Sequence, residues 1–206
     1  MIVQDVLELQ PHKFSRNRYD AGLAEFRNCI ESVDADGLIS WYRTNGRESD
    51  KSISKAVNAL ILENLKTASW ETNWSFCPSV SSNHATFEAS KKFGSPNQIR
   101  FAMDIASRHS NEALGYLVKG QLARKRAGSA NIRDVDAHIL LAYTESCLEW
   151  GKWNGAVYSY EKLISNVPLV IQSIRTPVWI FAVREPNNLK VSHTLAQTLK
   201  LEKLDS

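Results

Sequence analysis

Hydrophobic residues recur along this chain in two rhythms, and the change between them falls near residue 84. In residues 19–32, Leu23, Phe26, Cys29 and Ile30 follow the three- and four-residue spacing of one helix face. Asp50 then stands where a helix N-cap is expected, with Ile53, Val57, Leu60, Ile61 and Leu65 on one side of the helix that follows. Between these helices lies a polar stretch predicted as a loop, Tyr42-Arg43-Thr44-Asn45-Gly46-Arg47-Glu48-Ser49. A second predicted loop, 69–83, contains Trp70, Trp74 and Pro78. From residue 84 onward strands alternate with helices. The pattern predicts a β-hairpin over about 84–89 and 98–106, then a helix over 110–127 with Gly128 at its C′ position. An apolar strand over 135–143, a helix including 158–165 and a last strand over 177–184 follow. Strands separated by helices favour right-handed crossovers and a mixed sheet covered on both faces. The expected fold class is α/β: a central mixed β-sheet flanked by helices, with a helical N-terminal part. One domain is expected, helical over 1–83, with its sheet core over 84–186 and a C-terminal arm or amphipathic helix over 187–206.

Composition narrows the class without changing this picture. The 206 residues are 43% hydrophobic and 23% charged, as in an ordinary globular domain. No apolar run reaches the roughly 18 residues of a membrane span, and the N-terminus lacks the basic-then-apolar pattern of a signal peptide. Cys29, Cys77 and Cys147 are odd in number and have no CxxC or HxxxH companions. They read as reduced thiols of a cytoplasmic protein, with zinc disfavoured. A net charge of +3 excludes a generic polycation, so a nucleic acid would have to meet a local basic face.

The candidate chemistry begins at Asp104, an acid inside the apolar run Ile99-Arg-Phe-Ala-Met-Asp104-Ile-Ala106. A carboxylate buried in a strand is costly unless it is hydrogen-bonded or holds a cation. Glu88, on the preceding strand, would be brought to Asp104 by the hairpin, and two such carboxylates repel unless a divalent ion lies between them. Hydrolysis of a phosphodiester needs a nucleophilic water and neutralisation of new negative charge, and Mg²⁺ held by carboxylates supplies both. Glu88 and Asp104 are therefore candidate catalytic and metal-binding residues, with the Ile105 backbone carbonyl facing the same site and Asn73 as a further polar ligand or water-orienting group. The plainer reading of Asp104 is an ion pair with an arginine such as Arg100 or Arg108.

Four segments, in order, carry a resemblance. Residues 56–70 resemble a helix ending in a loop tryptophan. Trp70-Glu-Thr-Asn73 is similar to a stretch that holds an active-site asparagine, and Phe101-Ala-Met-Asp104-Ile-Ala106 resembles a V-x-(I/V)-E-V-Q catalytic strand. Val135–Leu141, Tyr160-Glu161 and Pro177–Ala182 resemble the strand–helix–strand end of the same domain. Together they resemble the BamHI/BglII/BstYI group of type II restriction endonucleases, in the PD-(D/E)XK nuclease superfamily. The resemblance implies a restriction-endonuclease-like fold and a homodimeric, Mg²⁺-dependent enzyme that cuts both strands of a short palindromic site in double-stranded DNA. It also implies a restriction-modification role. The chain departs from the group in three places. Ala106 stands where Glu, Gln or Lys is usual, Asp104 is shorter than the usual Glu, and Glu88 is longer than the usual Asp. A catalytically weak or inactive sequence-specific DNA-binding protein on the same fold is the alternative, and an unrelated α/β protein is a third reading.

DNA contacts need Lys and Arg on one face. Lys119, Arg124 and Lys125, with Arg126, are candidates on the helix after Asp104, although positive charge near a helix C-terminus also suits the dipole. Arg43 and Arg47 flank Asn45-Gly46 and offer bidentate donors to guanine, or simply a solvated loop. Lys190, His193, Lys200 and Lys203 mark the C-terminal segment. His138 reads as a hydrogen-bonded core histidine rather than a ligand.

Overall fold

The computed structural model describes all residues except 10–15, 48–49, 78–84, 95, 97, 107–112, 124–133, 154–156, 195–197 and 205–206. Its first elements are β1 (Ile2–Leu9), α1 (Asp20–Glu31), α2 (Ala35–Asn45), α3 (Ser54–Thr67) and β2 (Glu71–Ser75). Then come β3 (Thr86–Phe93), β4 (Ile99–Ile105), α4 (Ala113–Leu122), β5 (Ala137–Tyr143) and α5 (Glu145–Trp150). The chain closes with α6 (Tyr160–Val170), β6 (Val178–Arg184), β7 (Leu189–His193) and β8 (Leu199–Lys203). Six strands form one sheet in the order β1-β6-β5-β4-β3-β2, with β4, β5 and β6 parallel and the other neighbours antiparallel.

The apolar runs read as strands occupy the middle of this sheet because helices cover both faces there. On one face Ile139, Leu141, Tyr143, Trp179, Phe181 and Val183 pack with Phe26 and Ile30 of α1 and Val57, Ile61 and Leu65 of α3. On the other, Leu140, Ala142, Val178, Ile180 and Ala182 pack with Leu117 of α4 and Leu163 and Val167 of α6. Each strand therefore divides its residues between two cores with the period of two that a pleat imposes.

Four local expectations are corrected. The N-terminal part is not wholly helical, since it supplies the edge strands β1 and β2. A bulge between Val3 and Asp5 of β1 shifts the register, so Val3 joins one core while Leu7 and Leu9 join the other. Arg43 and Asn45 lie in the last turn of α2, whose N-cap is Asp34, accepting from the Gly37 amide at 2.8 Å. Asp50 does not cap α3, which starts after Ile53. Its carboxylate instead takes the Lys55 ammonium and the Arg47 amide, which hold it below the usual carboxylate range. Finally, the C-terminal segment is neither an arm nor a helix, because β7 and β8 pair as an antiparallel hairpin. No helix among the described residues is long and apolar enough to cross a membrane.

Candidate active site

The β3–β4 hairpin delivers Glu88 and Asp104 to the point where its strands stop pairing. Register runs from Phe93 opposite Ile99 to Ala89 opposite Met103, and the next residues along the two strands are Glu88 and Asp104. The neighbouring β2–β3 pairing is interrupted at the same level. Thr72 faces Ala89 and Trp74 faces Phe87, while between them Asn73 has φ 52°. Asparagine tolerates this left-handed conformation better than most residues with a side chain. Beyond the distortion β3 changes faces. Ala89 belongs to the core under α1 and α3, whereas Phe87 packs with Trp74 and Ala102.

Asp104 is 2% exposed and faces α4. Its Oδ1 accepts from Lys119 Nζ at 2.8 Å, and the same ammonium donates to the Thr86 carbonyl and lies 4.7 Å from the Phe87 ring centroid. Neither arginine proposed as a partner serves: Arg100 lies on the Trp74 ring and donates to Ser90 Oγ, and Arg108 is outside the described residues. Asp104 Oδ2 is 3.5 Å from His138 Nε2, too far for a good hydrogen bond, and is buried without a hydrogen-bond partner. His138 is in the core as expected, but both ring nitrogens lack hydrogen-bond partners, contrary to the reading of a satisfied histidine. Gly120 explains how α4 comes so close. A Cβ there would stand 2.6 Å from His138 Nδ1, so only glycine lets the helix rest on the imidazole and carry its neighbour Lys119 to Asp104.

Glu88 and Asn73 share a different setting, an open cleft of about 640 Å³ between α3 and the edge of the sheet. Glu63, Lys66 and Thr67 of α3 and Thr72 of β2 complete its polar lining. Sequence reading passed over Glu63 and Lys66, which stand three residues apart on the exposed side of α3.

The remaining candidates lie elsewhere. Ile105 ends β4, opposite Leu141 of β5. Lys119, expected on a phosphate-facing surface, instead points inward with its side chain 12% exposed. Arg43 and Arg47 are exposed at the end of α2, apart from both the cleft and Asp104. Arg124 and Lys125 lie outside the described residues. Among the described residues no three His, Cys, Asp or Glu side chains are grouped to hold a metal ion.

No family model matches the chain, and no curated relative matches it. Solved structures do. The crystal structure of restriction endonuclease BglII complexed with a DNA 16-mer is similar at a TM-score of 0.59 and 10% identity, over 96% of this chain and 87% of that one. Free BglII is similar at a TM-score of 0.51 and 12% identity, over 98% and 91%. The fold is therefore α/β and restriction-endonuclease-like, a mixed six-stranded sheet flanked by helices.

Proposed function

We propose that the protein is a Mg²⁺-dependent, site-specific endonuclease that acts as a homodimer and cuts both strands of a short palindromic double-stranded DNA site. One observation carries the reading. Asp104 is buried where two strands part, with Oδ1 held by Lys119 and Oδ2 without a hydrogen-bond partner. The fold around it is shared almost end to end with a DNA-bound restriction endonuclease.

The two carboxylates are oxygen donors of the kind a hard cation takes, but they stand in different settings. Oxygen donors suit Mg²⁺, which is commonly bound through one or two protein carboxylates completed by substrate phosphates rather than by an all-protein cage. Asp104 faces α4 between Lys119 and His138, while Glu88 opens into the cleft along α3, so the described residues do not bring the two carboxylates to one ion. A bound ion would polarise the scissile phosphate and make a water nucleophilic at neutral pH. Asn73, which lines the cleft with Glu88, would orient that water. Arg43 and Arg47, with Arg124 and Lys125, contact the DNA backbone and base edges.

Digestion of phage DNA by the purified protein, with and without Mg²⁺, tests this reading. Discrete fragments that require the metal are expected, and Asp104→Asn should abolish them while still binding the same DNA in Ca²⁺. Ala106, whose methyl group brings no functional atom to the face of Asp104, favours a second reading as a binding protein with decayed catalysis. Sequence-specific binding with no cleavage in Mg²⁺ or Mn²⁺ would select it.

A further inference from the structure

At its C-terminal end α3 buries Ile61 and Leu65 and leaves Glu63, Lys66 and Thr67 exposed. These three form one wall of the open cleft, and Thr72, Asn73 and Glu88 form the other. In that second wall the ladder pairs Thr72 with Ala89 and Trp74 with Phe87, which sets Asn73 opposite Glu88. Residues opposite each other in an antiparallel pair are close neighbours, so the amide and the carboxylate enter the cleft side by side. Among the described residues Lys66 is the one cation of the lining. Lys91 and Lys119 are taken up by Glu25 and Asp104. The Lys66 ammonium has neither an ion pair nor a hydrogen bond among the described residues, although Glu63 stands at a spacing where such pairs form. An ammonium, two threonine hydroxyls and an amide are the donors that phosphodiester oxygens take, and lysine serves a phosphate as a point charge. The carboxylates of Glu63 and Glu88 repel an anion, which confines a phosphate to the side of Lys66. At about 640 Å³ and open to solvent, the cleft has room for one unit of a longer strand.

We propose that Lys66 is a phosphate-binding residue that seats the DNA backbone in this cleft, beside Asn73 and Glu88. This inference rests on the nuclease reading above, for which it names the cleft along α3, and not the enclosure of Asp104, as the place where the strand lies. Lys66 acts by charge and position and takes no part in bond breaking. A lysine in the last turn of a helix also answers the partial negative charge of the carbonyl ends. That role requires no ligand, and it leaves the salt dependence of DNA binding unchanged.

The test compares DNA binding without divalent ions by wild type, Lys66→Gln, Lys66→Arg and Glu63→Gln over a range of salt. The probe is a duplex carrying the site that phage digestion, or selection from a random pool, identifies. Both positions are exposed, and melting curves establish that each variant is folded. Each neutralised phosphate releases counterions, so the logarithmic salt dependence should be shallower in Lys66→Gln by about 0.9 for each protomer bound. Its affinity at fixed salt should fall about tenfold. Lys66→Arg should keep the wild-type slope, because the charge is retained. Glu63→Gln should bind about threefold more tightly than wild type, since one carboxylate no longer repels the phosphate. In cleavage, Lys66→Gln should raise KM about tenfold and leave kcat little changed, as loss of uniform binding does. A folded Lys66→Gln with the wild-type slope overturns the proposal and leaves the nuclease reading standing. Weaker binding by Glu63→Gln also overturns it, because the α3 wall would then hold DNA by something other than charge. If Lys66→Gln does not fold, the sign of the Glu63→Gln change decides. Wild type that neither binds nor cleaves duplex DNA overturns both readings.

Discussion

The two carboxylates at the parting of β3 and β4 occupy opposite kinds of environment. Asp104 is enclosed by α4, neutralised by the Lys119 ammonium and 3.5 Å from the His138 ring, which meets the Phe87 ring edge-to-face at 5.3 Å. Glu88 is half-buried in an open cleft whose other walls are largely exposed polar residues. The first environment is rigid and sensitive to any unpaired charge. The second tolerates change and can admit a large ligand.

The largest expected effect lies on the enclosed side. Lys119→Met should lower stability by about 3–5 kcal/mol, because it strands the Asp104 carboxylate in the core. Adding Asp104→Asn should recover part of that loss, and urea unfolding of the two variants measures both. A loss below about 1 kcal/mol for Lys119→Met would mean that Asp104 is not in the enclosure the contacts describe.

Gly120→Ala is the next largest. Alanine is the better helix former by up to about 1 kcal/mol, so an unobstructed helix would be stabilised. The 2.6 Å approach to a buried imidazole predicts the opposite sign, a loss of about 1–3 kcal/mol from overpacking. Thermal melting reads that sign directly.

On the open side the effects on stability should be smallest. Glu88→Gln and Asn73→Gly should stay within about 0.5 kcal/mol of wild type while lowering cleavage. Glycine keeps the left-handed backbone of position 73 and removes only the amide. Asn73→Val should cost about 1–2 kcal/mol, because a β-branched residue resists that conformation. If Asn73→Gly also unfolds the protein, the cleft is as rigid as the enclosure and the contrast fails.

Much of the fold was legible because the buried strands announce themselves. The runs in β4, β5 and β6 are almost wholly apolar, and α1 and α3 repeat their apolar residues at helical intervals. The hairpin was legible too, but not that its two acids open into different settings, Asp104 toward α4 and Glu88 toward α3. The misses share a physical cause. In β1 a bulge moves the apolar positions from one face to the other, so no steady alternation survives. In β2 only Trp74 is buried, so an edge strand reads as a polar loop. The β7–β8 hairpin alternates charged and apolar residues over segments of five residues, too short to separate strand from helix by period alone. The signal for α2 was present in Asp34, three residues before Gly37, but the polar end of the helix outweighed it.

By itself the sequence determined that an acid would be buried in the middle of an apolar strand, and that such an acid must find a cation or a donor. It also set the spacing that makes Glu88 follow Ala89 as Asp104 follows Met103. Which cation answers Asp104 was decided only by tertiary structure. Lys119 is fifteen residues away along the chain, and no periodicity distinguishes it from the lysines that stay in solvent. Its inward course depends on α4 crossing β5 at His138, and on Gly120 leaving room for the imidazole. Local propensities set the elements because they act through neighbours along the chain. Charge pairing acts through space, and is settled only when the elements have packed.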